Sequence, residues 1–304
     1  MFVLEFISMN IIINSLIFCI VLFFYLHIYY HLKTSDDLEI YEIEQPSKDK
    51  LEEICDLRQP VLFDYNNEKI MNVFRQSNIL DSYGAFDIKL RNVEDKYDND
   101  VDIFLPVVFN NALNILNNNK EKKFISENNE DFIEETTLFK NFSYNDGFLR
   151  PYMVSSCNYD YILGSNNITT PFRYELNYRN YFLVVEGRAH FRITPYKSSK
   201  YLYTNTDYEN LEFRSPINAW NIQNQYRADF DKIKCLDIIV NPGQIIYIPA
   251  YWYYSIKFED TTSICVFRYR TYMNTIAILP QLMLNILQNQ NIKRQIAKVY
   301  NINN

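Results

Sequence analysis

The pattern of apolar and polar residues divides the chain into three parts: an amino-terminal apolar run, a mixed middle part and a carboxyl-terminal part with helical spacing. The run from Phe6 to Leu32 contains no residue with a formal charge. A membrane-spanning helix needs roughly 20 apolar residues, and no small-residue cleavage signature follows this run. We therefore predict an uncleaved transmembrane anchor over residues 1–33. Residues 34–45 are acidic and polar and predict a short tether.

The middle part, residues 46–272, begins with helical spacing and continues as strands. Ser47 is a candidate helix N-cap, and the helix that follows it carries Leu51, Ile54 and Cys55 on one apolar face. Residues 106–116 and 129–138 also predict helices. After residue 272 the spacing is helical again, which predicts carboxyl-terminal helices over residues 273–304.

Short runs rich in Tyr, Phe, Ile and Val dominate the second half of the middle part, and each run predicts a strand. They lie at residues 159–163, 172–176, 181–186, 189–194, 236–240, 245–248, 253–258 and 262–269. Turn residues separate them at regular intervals. Eight short strands at this spacing predict a jelly roll or double-stranded β-barrel.

Composition excludes several classes of protein. The net charge of −7 leaves no basic surface for phosphate groups, which argues against nucleic acid as a partner. His190 is the one histidine outside the apolar run and its border, so a two-histidine iron site or a histidine-rich zinc site cannot form within this part of the chain. The five glycines are too far apart for a nucleotide-binding loop. The five cysteines contain no CxxC pair, which favours free thiols in a reducing compartment.

Two segments carry a more specific pattern. Residues 170–175 read TPFRYE and precede the 180–195 segment NYFLVVEGRAHFRITP, while residues 241–256 read NPGQIIYIPAYWYYSI. These segments resemble the TPLHxD and PGDxLYIPxxWWHxV motifs of cupin-like, JmjC-type 2-oxoglutarate/Fe(II) oxygenases. The resemblance implies a mainly β domain with flanking helices, a double-stranded β-helix of the cupin type, over residues 46–272. The chain also resembles the membrane-tethered cupin-like proteins that large DNA viruses encode.

The same resemblance shows where this chain departs from the family. The family's first metal-binding His corresponds to Arg173, its Asp to Glu175 and its second His to Tyr254, while its co-substrate Lys corresponds to Ala189. Arginine has no lone pair to offer a metal ion. We therefore expect that neither Fe(II) nor 2-oxoglutarate binds, that no residue serves as a metal ligand and that the domain is catalytically inactive.

A degenerate pocket remains as the candidate site. Its expected residues are Thr170, Arg173, Glu175, Asn180 and Tyr254, of which Thr170 and Asn180 match the family pattern. Arg173 and Glu175 are two apart on a predicted strand, so their side chains emerge on one face. We expect them to form an ion pair beside Tyr254. This pair either serves only to neutralise two buried charges or binds a small anion or peptide carboxylate through the bidentate geometry that arginine favours.

The resulting hypothesis is a membrane-anchored, inactive cupin-like domain that binds a ligand or a protein. Two enzymes are the alternatives: a residual 2-oxoglutarate-dependent oxygenase with unusual ligands, and a membrane-anchored transferase that uses the DxD pair of Asp98 and Asp100.

The expected partners follow from the same features. The membrane is contacted through residues 6–32. No Lys or Arg precedes the span whereas Lys33 follows it, which predicts a single-pass protein with its domain in the cytosol. Related oxygenases dimerise through a helical carboxyl-terminal region, so the resemblance also implies a homodimer through the carboxyl-terminal helices.

Overall fold

The computed structural model describes residues 2–65, 67–93, 104–118 and 124–300. The α-helices are α1 (Phe2–Leu32), α2 (Lys48–Cys55), α3 (Glu68–Val73), α4 (Gln76–Tyr83), α5 (Phe109–Asn118), α6 (Glu130–Glu135), α7 (Leu138–Asn145), α8 (Arg227–Phe230), α9 (Tyr272–Ala277) and α10 (Leu279–Tyr300). Two 3-10 helices span Tyr196–Tyr201 and Asn224–Tyr226.

The strands are β1 (Tyr41–Ile43), β2 (Val61–Asp64), β3 (Asp87–Asn92), β4 (Leu105–Val108), β5 (Phe124–Ser126), β6 (Val154–Gly164), β7 (Arg173–Tyr174), β8 (Arg179–Thr194), β9 (Asn205–Asp207), β10 (Glu212–Arg214), β11 (Leu236–Val240), β12 (Gln244–Ile248) and β13 (Tyr253–Thr271). The main path through the sheet is β1-β2-β12-β8-β13-β6-β5-β3-β4. Strand β11 pairs with β8, and β7 connects β13 to β10 and β9.

Strands β8 and β13 are the two longest strands, and they pair antiparallel along their length. The first half of β8 also pairs with β12, at residues 180–183, whereas its second half pairs with β11, at residues 189–193. Each long strand therefore contributes to two walls of the barrel. The prediction of a mainly β domain with flanking helices is confirmed. Two pairs of predicted strands are single strands in the structure, since 181–186 and 189–194 both lie in β8, and 253–258 and 262–269 both lie in β13.

Two apolar layers lie on opposite faces of the central strands. Side chains alternate between the faces of a strand, so Phe182 joins the barrel interior while Tyr181 and Leu183 pack against the helices. The interior is filled by aliphatic and aromatic side chains that include Val184, Phe191, Ile248, Trp252, Tyr254, Ile256 and Phe258. The helical layer includes Leu51, Ile70, Phe74 and Phe142. The barrel interior is therefore packed apart from its polar edge, which is described below.

Local signals explain where two of the helices begin. The Ser47 hydroxyl accepts a hydrogen bond from the Lys50 amide at the start of α2, and the apolar face of this helix is buried as predicted. The helix predicted from residue 106 begins only at Phe109, because residues 105–108 form β4. Pro106 has no amide hydrogen to donate, and β4 is an edge strand, where proline is tolerated.

Helix α1 is the candidate membrane anchor. Its segment Asn10–Leu32 is long and apolar enough to cross a membrane, and it is not buried within the chain. Its last turns meet the domain: the Arg58 guanidinium carbon lies 5.0 Å from the centre of the Tyr30 ring and 4.6 Å from that of Tyr178. Residues 41–43 of the predicted tether form β1, which pairs in parallel with β2. The segment after the anchor is therefore held against the domain at both of its ends.

Gly187 lies between the two halves of β8, at a position that leaves no room for a side chain. Its φ is +74°, and a Cβ atom there would lie 2.4 Å from the Thr262 hydroxyl oxygen and 2.8 Å from the Thr262 Cα. Gly243 also has a positive φ, of +85°, but apart from its chain neighbours no atom of the described residues lies within 4 Å of its Cβ position. We expect Gly187→Ala to lower the free energy of unfolding by about 1–3 kcal/mol more than Gly243→Ala does, because only the first adds a steric clash to the backbone cost. Urea unfolding of both variants measures this difference, and equal losses would show that the contact with Thr262 relaxes freely.

Candidate functional site

The three residues at the family's metal-ligand positions lie together where β7 pairs with β13. Tyr254 is the register partner of Arg173, and the centre of its ring is 5.5 Å from the Arg173 guanidinium carbon. The Tyr254 hydroxyl donates a hydrogen bond to Glu175 Oε1 at 2.8 Å. Arg173 and Glu175 thus both lie beside Tyr254, in agreement with the prediction that they share a face.

The prediction that Arg173 and Glu175 form an ion pair with each other is wrong. Arg173 Nη1 lies 2.7 Å from Glu127 Oε2, on the segment that directly follows β5. The other Glu127 oxygen, Oε1, accepts from Arg91 Nη2 at 2.8 Å. Glu127 thus bridges two guanidinium groups, and its side chain is only 1% exposed. Burial raises the pKa of Glu127, but Arg173 and Arg91 outweigh burial and hold it at about 2.

Glu175 has a different cationic partner. Its two carboxylate oxygens accept from Arg268 Nε at 3.1 and 2.9 Å, and Oε2 also accepts from Asn177 Nδ2 at 2.8 Å. Together with Tyr254, these donors occupy both oxygens. Burial alone would raise the pKa of Glu175, but Arg268 and the hydrogen bonds lower it. Glu175 is therefore ionised and fully engaged.

Arg268 also contacts a second buried acid, which extends the row of charges. Arg268 Nη1 lies 3.5 Å from Asp160 Oδ2. Asp160 is fully buried and accepts from the backbone amides of Asn128 and Asn129. We call the resulting set the charge network; its members are Arg91, Glu127, Arg173, Glu175, Arg268 and Asp160. Cations and anions alternate along it, so each buried charge has an opposite neighbour.

Four of the six members of the charge network were not predicted. Arg91, Glu127, Arg268 and Asp160 were missed, although the sequence carries one signal for two of them. Asp160 and Arg268 are charged residues inside strand runs that are otherwise mostly apolar and aromatic. A buried strand carries a charge only when an opposite charge compensates it, so such residues indicate partners on neighbouring strands.

The other two predicted site residues have structural contacts. The Thr170 hydroxyl accepts from the Ile256 amide at 2.8 Å, and its backbone carbonyl accepts from the Ser255 hydroxyl. Asn180 Nδ2 donates to the carbonyls of Asn177 and Ile248 at 3.3 and 3.2 Å. Neither has a hydrogen bond to Arg173, Glu175 or Tyr254 in the part of the chain that the structure describes. Both residues join loops to strands at these contacts.

A solvent-connected cleft of about 290 Å³ opens beside the charge network. Its walls include Arg173, Glu175, Arg268 and Arg270, together with Glu212 of β10. Arg270 Nε donates to Asn177 Oδ1 at 2.6 Å, and no carboxylate lies within ion-pair distance of Arg270 among residues 2–65, 67–93, 104–118 and 124–300. Burial lowers the Arg270 pKa. The cleft therefore contains a cation whose charge is not balanced by direct contact with an acid.

The alternative DxD motif cannot be placed. Asp98 and Asp100 lie outside the residues that the structure describes. The described residues contain no group of three or more His, Cys, Asp or Glu side chains that could hold a metal ion.

Comparison with known proteins agrees with the fold. HSPB1-associated protein 1 of Rattus norvegicus is 25% identical to this chain over 105 residues, which is 34% of this chain and 22% of that protein. The proteins of the same name from Mus musculus and Bos taurus match over the same shares. The chain therefore aligns with about a fifth of the length of these curated relatives. A family profile described as a cupin-like domain matches residues 47–272, which is more than half of the chain, and so this protein belongs to the cupin-like domain family.

Proposed function

We propose that this chain is a membrane-anchored cupin-like protein that does not bind iron or oxidise a substrate, and that its cleft binds a carboxylate of a small acid or of a peptide. The observation that carries the proposal is the charge network. Two of the positions that hold iron in the resembled oxygenases, Arg173 and Glu175, belong here to the charge network, and the hydroxyl at the third, Tyr254, donates to Glu175.

The side chains at these positions do not fit a ferrous ion. Such a site needs neutral imidazole lone pairs and a free carboxylate arranged on one face. Arg173 offers only donors, the Tyr254 hydroxyl donates to Glu175, and both oxygens of Glu175 accept from Arg268. An ion at this position would therefore lie against the Arg173 guanidinium and would compete with Arg268 for the Glu175 carboxylate.

The donors that remain favour an anion. Arg173 is only 8% exposed, and its Nε and Nη2 atoms are buried without a hydrogen-bond partner in the described part of the chain. An unsatisfied buried donor lowers the free energy of unfolding by about 1–3 kcal/mol, and a ligand oxygen that accepts from this donor would remove the loss. A carboxylate fits the fork of a guanidinium with two parallel bonds. Arg270, on the wall of the same cleft, adds a second positive charge.

The proposal is tested by calorimetry with succinate and 2-oxoglutarate, each in the presence and absence of Fe(II). We expect a carboxylate to bind the native protein with an affinity that Fe(II) does not change. Arg270→Gln should weaken this binding at least tenfold, because it removes the cation that lacks an acidic partner. Arg188→Gln is the matched control, since Arg188 is an exposed arginine on β8 whose partner is Glu259.

The same experiment separates a binding module from a residual oxygenase. Stoichiometric iron in the purified native protein, or binding of 2-oxoglutarate that requires Fe(II), would contradict the proposal. The triple variant Arg173→His/Glu175→Asp/Tyr254→His restores the family's ligand types and provides the positive control for metal analysis. We expect it, and not the native protein, to retain Fe(II) through dialysis.

A further inference from the structure

Helices α9 and α10 present an apolar face that no part of the described chain covers. The opposite side of α10 packs on the domain. Leu282, together with Ile278 just before the helix, joins the cluster around Phe213, and Asn285 donates to the Tyr208 and Glu209 carbonyls. The outward face consists of large apolar side chains that are each at least 36% exposed: Tyr272, Ile276, Leu279, Met283, Leu284, Ile286 and Leu287.

The spacing of three of these residues places them on one side of α10. Leu279, Met283 and Ile286 recur at intervals of four and three residues, which places them on one side of α10. Isolated apolar residues are common on protein surfaces, but a contiguous group of this kind marks an interaction site. The question is therefore what covers this face.

Its position beside the anchor points to the membrane. Helix α9 packs against α1, and within residues 10–32 of α1 the side chains that lose exposure lie near its end, at His27, Ile28 and His31. The apolar face thus begins next to the last turns of the segment that is long enough to span a bilayer. Tyr25 and Tyr29 of α1 are 64% exposed at the same level, and tyrosine is enriched where a span leaves the bilayer.

Charge in the sequence agrees with this position. Residues 292–300 of α10 contain three basic residues and no acidic one, in a chain whose net charge is negative. Amphipathic helices that lie on membranes combine an apolar face with basic residues, which are attracted to anionic headgroups.

We infer that α9 and α10 lie in the headgroup layer of the bilayer that holds α1, with the apolar face of α9 and α10 turned toward the acyl chains. The chain would then contact lipid through a second, interfacial element in addition to its span. This inference concerns a different surface from the cleft and does not depend on the ligand proposed there.

Quenching by brominated lipid tests the inference. The full chain is reconstituted in nanodiscs of phosphatidylcholine and phosphatidylserine, with the phosphatidylcholine either unmodified or brominated on its acyl chains. We expect the tryptophan of a Met283→Trp variant to lose emission in the brominated discs beyond the loss that the native protein shows. Leu287→Trp provides a second position on the same face, in case one substitution disturbs α10.

Tyr144→Trp is the matched control, because Tyr144 is 80% exposed on α7, a helix that packs against α3 and α6. Its quenching should equal that of the native protein. Equal quenching in Met283→Trp, Leu287→Trp and the control would overturn the inference. A particle mass in detergent that is dimeric for the native chain and monomeric for Met283→Asp would also overturn it, because a second copy would then cover the face.

Discussion

Replacing Glu127 with Gln is expected to lower the free energy of unfolding by about 3–5 kcal/mol. The substitution keeps the shape of the side chain and removes the charge that lies 2.7 Å from Arg173 Nη1. Arg173 would then remain largely buried as a cation without its ion-pair partner. Urea unfolding of the full chain in detergent, followed by circular dichroism, measures the loss.

An exposed ion pair provides the control for this experiment. Lys50 and Glu53 lie 2.9 Å apart on α2, with side chains that are 53% and 69% exposed. Glu53→Gln should cost less than about 1 kcal/mol, because solvent already screens both charges. A loss in Glu127→Gln as small as that in Glu53→Gln would mean that the buried charges rearrange to compensate one another, and the charge network would not be a fixed structure.

The stability contributed by Glu127 is expected to disappear in acid. The pKa of Glu127 is about 2 in the folded chain, against 4.5 for an unperturbed glutamate, so the folded state favours the ionised form. A lowered folded pKa means that the contribution is complete above pH 4.5 and is lost as the pH falls toward 2. The size of this shift corresponds to a contribution on the order of 3 kcal/mol.

The measurement is the difference in unfolding free energy between the native chain and Glu127→Gln as the pH is lowered. This difference should narrow steadily below about pH 5, because the native chain loses an interaction that the variant never had. Glu175, whose pKa is also lowered, is present in both proteins and affects the difference little. A difference that stays constant down to about pH 2 would show that the Glu127 pKa is not lowered.

The sequence was sufficient for those features that depend on neighbouring residues. Ser47 and the spacing of Leu51, Ile54 and Cys55 predicted α2, and the alternating runs located most of the central strands. The residues that replace the metal ligands also met as expected, because their positions follow the family's order of strands. Each of these predictions used a local pattern or a motif.

The partners of the buried charges depended instead on which distant segments become adjacent. Arg173 and Glu175 are close in sequence and have opposite charges, yet each pairs with a residue far along the chain: Glu127 follows β5, and Arg268 lies near the end of β13. No local pattern determines that β5, β6 and β13 are consecutive in the sheet. A related reason explains why two strands were predicted where β8 is one. Glycine usually marks a turn, but β8 pairs with β13 on both sides of Gly187 and therefore continues through it.

The contact between Arg58 and the rings of Tyr30 and Tyr178 has a consequence for how far the domain can reach. A flexible linker would let the domain take many orientations relative to α1. Here the contact of the Arg58 guanidinium with the two rings and the pairing of β1 with β2 hold the linking segment against the domain. A bilayer that holds α1 therefore fixes the height and tilt of the domain above the lipid. If the cleft binds a carboxylate as proposed, an acid carried by another membrane protein would enter it only when presented at that height, so geometry would select among carriers of the same chemical group.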